Sequence, residues 1–223
     1  MTAIRVLLVD DQPMIRTGFR LILEAEPDMV VVGEAGDGQA GVEDTRALQP
    51  DVVLMDIRMP RLDGVEATRL IVESGSASHI IILTTFDLDE HVHDALRAGA
   101  SGFLVKDGPA DSLVEAIRTV ARGDAVISPR VTRRLLDRFS RLADQSPPAV
   151  PPTLDALTAR ELDVLRALSR GLSNAEVARE LHVSEATVKT HVAHILDKYQ
   201  LRDRVQAVIL AYDTGLARPA AGS

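Results

Sequence analysis

Short apolar runs punctuate the first half of the chain, at residues 4–9, 30–32, 52–55, 80–83 and 102–105. Largely continuous rather than alternating with polar residues, they predict short strands buried on both faces. Between them, residues 13–26, 38–49, 64–73 and 88–98 carry helical patterns, and 109–122 follow the last run with another. Five strand–helix repeats predict a parallel sheet covered by helices on both sides. From Leu157 onward the pattern is helical throughout. Thr158 with Glu161, and Ser173 with Glu176, form capping-box pairs ahead of the stripes Leu162, Leu165, Leu168 and Val177, Ala178, Leu181. Gly171 closes the first helix, Ser184 caps a third, and Val205, Val208, Ile209 and Tyr212 mark a fourth. Four short helices of this kind make a bundle of about 60 residues, enough to fold alone.

Between these regions the pattern changes twice. Residues 131–142 place Val131, Leu135, Phe139 and Leu142 among arginines, as an amphipathic helix does. Pro147, Pro148, Pro151 and Pro152 then predict a semi-rigid spacer. The expected organisation is a first domain over residues 1–124, a linker over 125–152 and a second domain over 153–218.

The residues that close the apolar runs carry the chemistry. Parallel strands end on a common rim, so Asp10 and Asp11, Asp56, Thr84 and Lys106 share the edge where open α/β sheets bind ligands. Three carboxylates gathered there repel one another, and a hard cation with oxygen ligands, Mg2+, relieves that repulsion. A solvated acidic rim without function is the plainer alternative. Thr84 and Lys106 add what a phosphoryl group on Asp56 requires: a hydroxyl that donates to its oxygens and an ammonium that offsets its charge. The stretch from Gly33 to Gly38 lacks the spacing of a phosphate-binding loop and reads as a turn.

On the third helix of the second region, Val188, Val192, Ile195 and Tyr199 fall on one side at roughly 100° per residue. Ala186, Lys189, Thr190, Ala193 and Asp197 fall on the other. Small and hydrogen-bonding residues exposed after a tight turn suit a major groove.

Composition changes the picture in two places. The chain has no cysteine, so disulfides and thiolate zinc sites are excluded. No apolar run nears the roughly 20 residues of a membrane span, and no basic leader precedes Ile4, so the cytoplasm is the expected compartment. The net charge of -8 is unevenly spread: residues 1–124 hold 11 Lys/Arg against 22 Asp/Glu, 125–152 hold 5 against 2, and 153–223 hold 9 against 9. A neutral second domain is an objection to DNA binding, because phosphate contacts supply much of the affinity. A local cluster of Lys189, Lys198, Arg202 and Arg204, doubled in a dimer, is the expected answer. His91 and His93 face differently at two apart. His191 and His194 are neighbours at three apart but show no third ligand in sequence, so no zinc site is expected.

Taken together, Asp10-Asp11, Asp56, Met59-Pro60, Asp63-Gly64, Thr84 and Lys106 resemble the receiver of a two-component response regulator across nearly all of residues 1–124. Leu157-Thr158-Ala159-Arg160-Glu161, Gly171-Leu172-Ser173-Asn174 and Thr187-Val188-Lys189-Thr190-His191-Val192 resemble the helix-turn-helix domain of NarL/FixJ (LuxR-type) regulators. The resemblance implies an α/β receiver of flavodoxin-like topology, with a five-stranded parallel sheet, and an all-α four-helix DNA-binding domain. It implies that Asp56 accepts phosphate from a sensor histidine kinase. Asp11, Asp56 and the backbone carbonyl of Arg58 would bind Mg2+, Asp10 would assist through water, and Thr84 and Phe103 would couple phosphorylation to a receiver surface. Phe103 reads equally well as a core aromatic. Thr187, Lys189, Thr190, Ala193 and Lys198 would meet double-stranded promoter DNA, with a homodimer forming on activation.

Several positions depart from the family pattern. Asp107 follows Lys106 where many receivers carry proline, which makes a cis bond after the lysine less secure. Arg58 and Phe86 are bulky enough to hinder water attack on a phosphorylated Asp56. Ala193 stands where relatives often have a basic residue, implying a different sequence preference or lower affinity. Two alternatives stand beside this reading: a haloacid-dehalogenase-like phosphatase with Asp56 as nucleophile, and a constitutive regulator whose receiver no longer receives. The first lacks its usual second aspartate, because Arg58 occupies that position. The expectation is a regulator rather than an enzyme.

Overall fold

Six strands run parallel in the order β2-β1-β3-β4-β5-β6: β1 (Ile4–Val9), β2 (Met29–Ala35), β3 (Val52–Asp56), β4 (His79–Thr84), β5 (Gly102–Val105) and β6 (Val126–Ile127). This computed structural model describes residues 3–84, 92–122, 126–127 and 153–217. Helices α1 (Pro13–Glu24), α2 (Gly38–Leu48), α3 (Gly64–Glu73), α4 (Val92–Arg97) and α5 (Ala110–Ala121) connect the strands. Because β1 lies between β2 and β3, the chain reverses its direction of travel across the sheet there. The carboxyl ends of β1 and β3 thus flank a topological switch point, which opens a crevice for a ligand.

Both faces of the sheet are buried. Val6, Leu8, Val52, Leu54, Ile81 and Leu83 pack with Leu23 of α1 and with Leu113, Ile117 and Val120 of α5. The intervening residues Leu7, Val9, Val53, Met55, Ile80 and Ile82 are as fully enclosed on the opposite face. Two-sided burial is why these strands are apolar runs.

The ends of the elements follow local chemistry. Pro13 sits at the start of α1, where its missing N–H costs nothing. Asp37 and Asp63 cap α2 and α3 by accepting from Ala40 N and Glu66 N. β2 is longer than the apolar run predicts: Gly33 to Ala35, expected as a turn, pair with Leu7 to Val9 after a register shift. β6 was not expected and pairs with Gly102 and Phe103. No cis peptide bond occurs among the described residues. The predicted helix over 131–142, the proline spacer, Thr85 and Phe86 lie outside the described residues, as does the start of the helix expected over 88–98.

The second region forms α6 (Ala159–Ser169), α7 (Asn174–Leu181), α8 (Glu185–Lys198) and α9 (Arg204–Asp213). Both capping boxes are complete, and Ser184 accepts from Thr187 N at the start of α8. Val164, Leu165, Leu168, Val177, Val188, Ile195, Ala207 and Ala211 form the core. The stripe of α9 lies in that packing: Val205 and Ile209 are buried, Val208 packs against the cluster, and Tyr212 donates to Ser169 O at 2.9 Å. The chain divides into two compact units, Met1–Ser128 and Pro129–Ser223. Among the described residues no helix is long and apolar enough to cross a membrane.

Candidate functional site

The rim at the switch point brings together residues far apart in sequence. Asp10, Asp11 and Asp56 each offer a carboxylate oxygen within 4.8 Å of the others. Asp10 and Asp56 are 2% and 5% exposed, whereas Asp11 reaches solvent. Lys106 Nζ lies 2.6 Å from Asp10 Oδ2 and 2.9 Å from Asp56 Oδ2, and its side chain is only 4% exposed. Thr84 is buried at the end of β4, and its carbonyl accepts from Lys106 N at 2.7 Å. Phe103 is fully buried, as a core aromatic is.

Electrostatics at the rim are under-compensated. Burial pushes the Asp56 carboxyl above its ordinary range, Lys106 opposes that through a hydrogen bond and its charge, and Asp10 adds to the rise. Burial alone would lower Lys106, but hydrogen bonds and charge from Asp10 and Asp56 outweigh it and hold the ammonium protonated. One ammonium against three carboxylates leaves an excess of negative charge that a dication offsets. The donor set is all oxygen, with one carboxylate open to solvent, and so fits Mg2+.

Backbone geometry holds the rim in place. Gly64 N donates to Ile57 O at 2.8 Å, so the chain folds tightly back after β3. A Cβ at Gly64 would collide with the Asp56 carbonyl. The sequence marks this residue as half of an Asp-Gly turn, but the close approach that demands glycine appears only in three dimensions. Arg58 is exposed and lines, with Ile57, Met59, Asp63 and Val65, an open cleft of about 440 Å3 beside the rim. Gln12 N donates to Asp10 Oδ1 at 2.9 Å and Arg16 donates to Asp10 O at 2.6 Å, fixing the loop that carries the first two acids.

In the second unit, α8 divides as its periodicity predicts. Val188 and Ile195 are fully buried, Val192 and Tyr199 pack at the edge, and Thr187, Lys189, Thr190 and Ala193 are exposed. The expected basic cluster is different in three dimensions. Lys198 Nζ turns to Glu161 Oε2 at 2.6 Å, and Arg204 donates to Asn174 Oδ1 at 2.9 Å and to the Leu172 carbonyl. Arg202 is partly buried, and burial lowers its pKa against the opposing charge of Asp203. Lys198 and Arg204 brace the bundle, Arg202 is partly withdrawn from solvent, and Lys189, 59% exposed, faces outward.

Glu161 is the hub that sequence reasoning valued only as a cap. Its Oε2 accepts from Thr158 N, Thr158 Oγ1 and Lys198 Nζ, and its Oε1 faces His194 Nδ1 at 3.7 Å. Burial opposes its ionisation, but the Lys198 and Thr158 hydrogen bonds prevail and hold its pKa down at about 2. The third neighbour missing from the histidine pair in sequence is therefore supplied by α6.

Known proteins match both halves. A family described as the response regulator receiver domain matches residues 6–118, and one described as bacterial regulatory proteins, luxR family, matches residues 155–211. The uncharacterized transcriptional regulatory protein YxjL of Bacillus subtilis (strain 168) is 43% identical over 96% of this chain and 98% of its own. The nitrate/nitrite response regulator protein NarP of Escherichia coli (strain K12) is 41% identical over 94% of each. The crystal structure of the response regulator ChrA of a heme-sensing two-component system aligns with a TM-score of 0.54 at 37% identity, covering 97% of this chain and all of that one. The acid rim at the switch point and the exposed second helix of a helix-turn-helix are thus parts of one architecture, and the chain belongs to the NarL/LuxR family of response regulators, DNA-binding regulators of transcription.

Proposed function

We propose that this regulator is controlled by phosphorylation of Asp56. The observation that carries the reading is a buried Asp56 at the carboxyl end of β3, with Lys106 Nζ at 2.9 Å and the ligand oxygens of Asp10 and Asp11 within 4.8 Å. A carboxylate oxygen of Asp56 attacks phosphorus of a phosphohistidine on a sensor kinase, and the P–N bond breaks as the imidazole leaves. Asp11, Asp56 and the backbone carbonyl of Arg58 would hold Mg2+, with Asp10 assisting through water, and the ion would supply charge neutralisation for the transferring group. Lys106 offsets the negative charge of the product, and the Thr84 hydroxyl donates to a phosphoryl oxygen. Arg58 at the mouth of the cleft hinders water and prolongs the phosphorylated state. Phe103, packed in the core on β5 opposite Ile82, transmits the change.

The receiver takes in residues 1–124 with the short β6 that follows, the linker the rest of 125–152, and the DNA-binding domain 153–218. Phosphorylation shifts the receiver toward a state that pairs two chains, and the paired domains present Thr187, Lys189, Thr190 and Ala193 of α8 to promoter DNA. Lys198 contributes by bracing α8 rather than by reaching phosphate. The protein works in the cytoplasm and has no catalytic turnover of its own. Arg58, where a hydrolase of the haloacid-dehalogenase type carries its second aspartate, supports that choice. The contact between Lys106 and Asp56 supports a receiver that receives.

The test is size in solution with Mg2+, with and without beryllofluoride, a phosphoryl mimic. A monomer-to-dimer shift is expected in the unmodified protein and not in Asp56→Asn. An unmodified protein that stays the same size defeats activation by dimerisation, and a shift in both removes Asp56 as the switch.

A further inference from the structure

The stripe of α8 that faces neither the core nor the exposed reading face carries His191, His194 and Lys198, and it meets the N-terminal turn of α6 at the buried Glu161. One ligand atom from each of Glu161, His191 and His194 lies within 4.8 Å of the other two. Glu161 is pre-set for a further partner: Oε2 takes the bonds from Thr158 and Lys198, while Oε1 is turned to His194 Nδ1 at 3.7 Å. His191 Nδ1 is buried and finds no hydrogen-bond partner among the described residues. A buried ring nitrogen without a partner calls for a proton donor or a metal ion.

We propose that Glu161, His191 and His194 form a binding site for a divalent first-row transition ion, zinc above all, that ties α8 to the start of α6. Two imidazoles and one carboxylate suit zinc better than magnesium or calcium. Tetrahedral donors at about 2.0–2.2 Å from a common ion stand about 3.3–3.6 Å apart; Glu161 Oε1 and His194 Nδ1 are already near that separation, and the set closes on the ion by drawing in about 1 Å. Three protein ligands leave a fourth position for water. The ammonium of Lys198, which shares the carboxylate, weakens the site by its charge, and its removal tightens binding. The site is independent of Asp56 and of its phosphorylation.

The experiment titrates Zn2+ into the full chain by calorimetry in saturating Mg2+, with Co2+ absorption in the visible as a second readout. One Zn2+ per chain is expected, weakened about tenfold or more in His194→Asn and in His191→Asn, unchanged in Asp56→Asn and strengthened in Lys198→Met. Tyr199 and Tyr212 are the two tyrosines of the chain, both in the second unit, so tyrosine fluorescence on heating should show stabilisation by Zn2+ that His194→Asn abolishes. His194 is exposed, so its substitution tests ligation without disturbing the core. Absence of Zn2+ uptake, which a plain His194–Glu161 ion pair gives, overturns the proposal. So does uptake unchanged in either histidine variant, or uptake lost in Asp56→Asn.

Discussion

Each unit buries a carboxylate against a lysine, and the two arrangements have opposite electrostatic character. In the second unit Glu161 accepts backbone, hydroxyl and ammonium donors, and its pKa is held at about 2. In the first, Asp56 shares Lys106 with Asp10, and burial pushes its pKa up. Glu161 is structural and satisfied as it stands; Asp56 is kept short of donors. An acid left in that condition favours any event that brings in positive charge or removes its own, a condition that suits the phosphoacceptor role proposed above.

The largest expected effect tests that contrast at Lys106. Lys106→Met leaves Asp10 and Asp56 facing one another in a buried pocket, at a cost of about 3–5 kcal/mol to the first unit. Urea unfolding in EDTA, followed by circular dichroism, measures it, and Mg2+ should recover part of the loss. A cost near zero would mean that the rim acids are protonated or hydrated and that the contrast fails.

Gly64→Ala comes next. Its Cβ meets the Asp56 carbonyl, and the turn after β3 must open, costing about 1–3 kcal/mol. The same opening moves Asp56, so the beryllofluoride response is expected to weaken as well. Loss of stability with the response intact would separate the turn from the site.

The smallest effect belongs to Lys198→Met, whose partly exposed ion pair is worth under about 1 kcal/mol at neutral pH. Its signature is in pH. Glu161 has a folded pKa below its unfolded value of 4.5, so it contributes stability that is present above 4.5 and lost as pH falls toward about 2. Removing Lys198 raises the folded pKa, and the loss then begins at higher pH. Asp56 runs the other way, because a raised folded pKa makes its contribution largest in acid and lost as pH rises. Tyrosine fluorescence, which reports the second unit alone, reads the acid limb in EDTA. An acid limb identical in the variant would show that Thr158 alone sets the Glu161 pKa.

How legible each part was depends on whether its cause is local. The bounds of β1, β5 and α3 follow from the sequence because turn residues or a capping Asp63 sit at their ends. β2 runs past its apolar run because pairing with β1, not the hydrophobicity of Gly33 and Glu34, holds it there. The rim acids, Thr84 and Lys106 were legible because parallel strands deliver their ends to one edge. The fate of Lys198 and Arg204 was not, since their partners lie 37 and 30 residues away. Charge counted along a chain gives no account of which cations the fold keeps for itself.

The division of α8 into a buried side, a braced side and an open side has a further consequence for descent. Because Val188 and Ile195 fasten the helix through the core and Lys198 through its bond to Glu161, the exposed side chains at positions 187, 189, 190 and 193 make only local contacts within α8 and its cap. Under the DNA contacts proposed above, duplicated copies of such a gene can drift at those four positions, acquire new operators and diverge into parallel circuits while inheriting one unaltered scaffold.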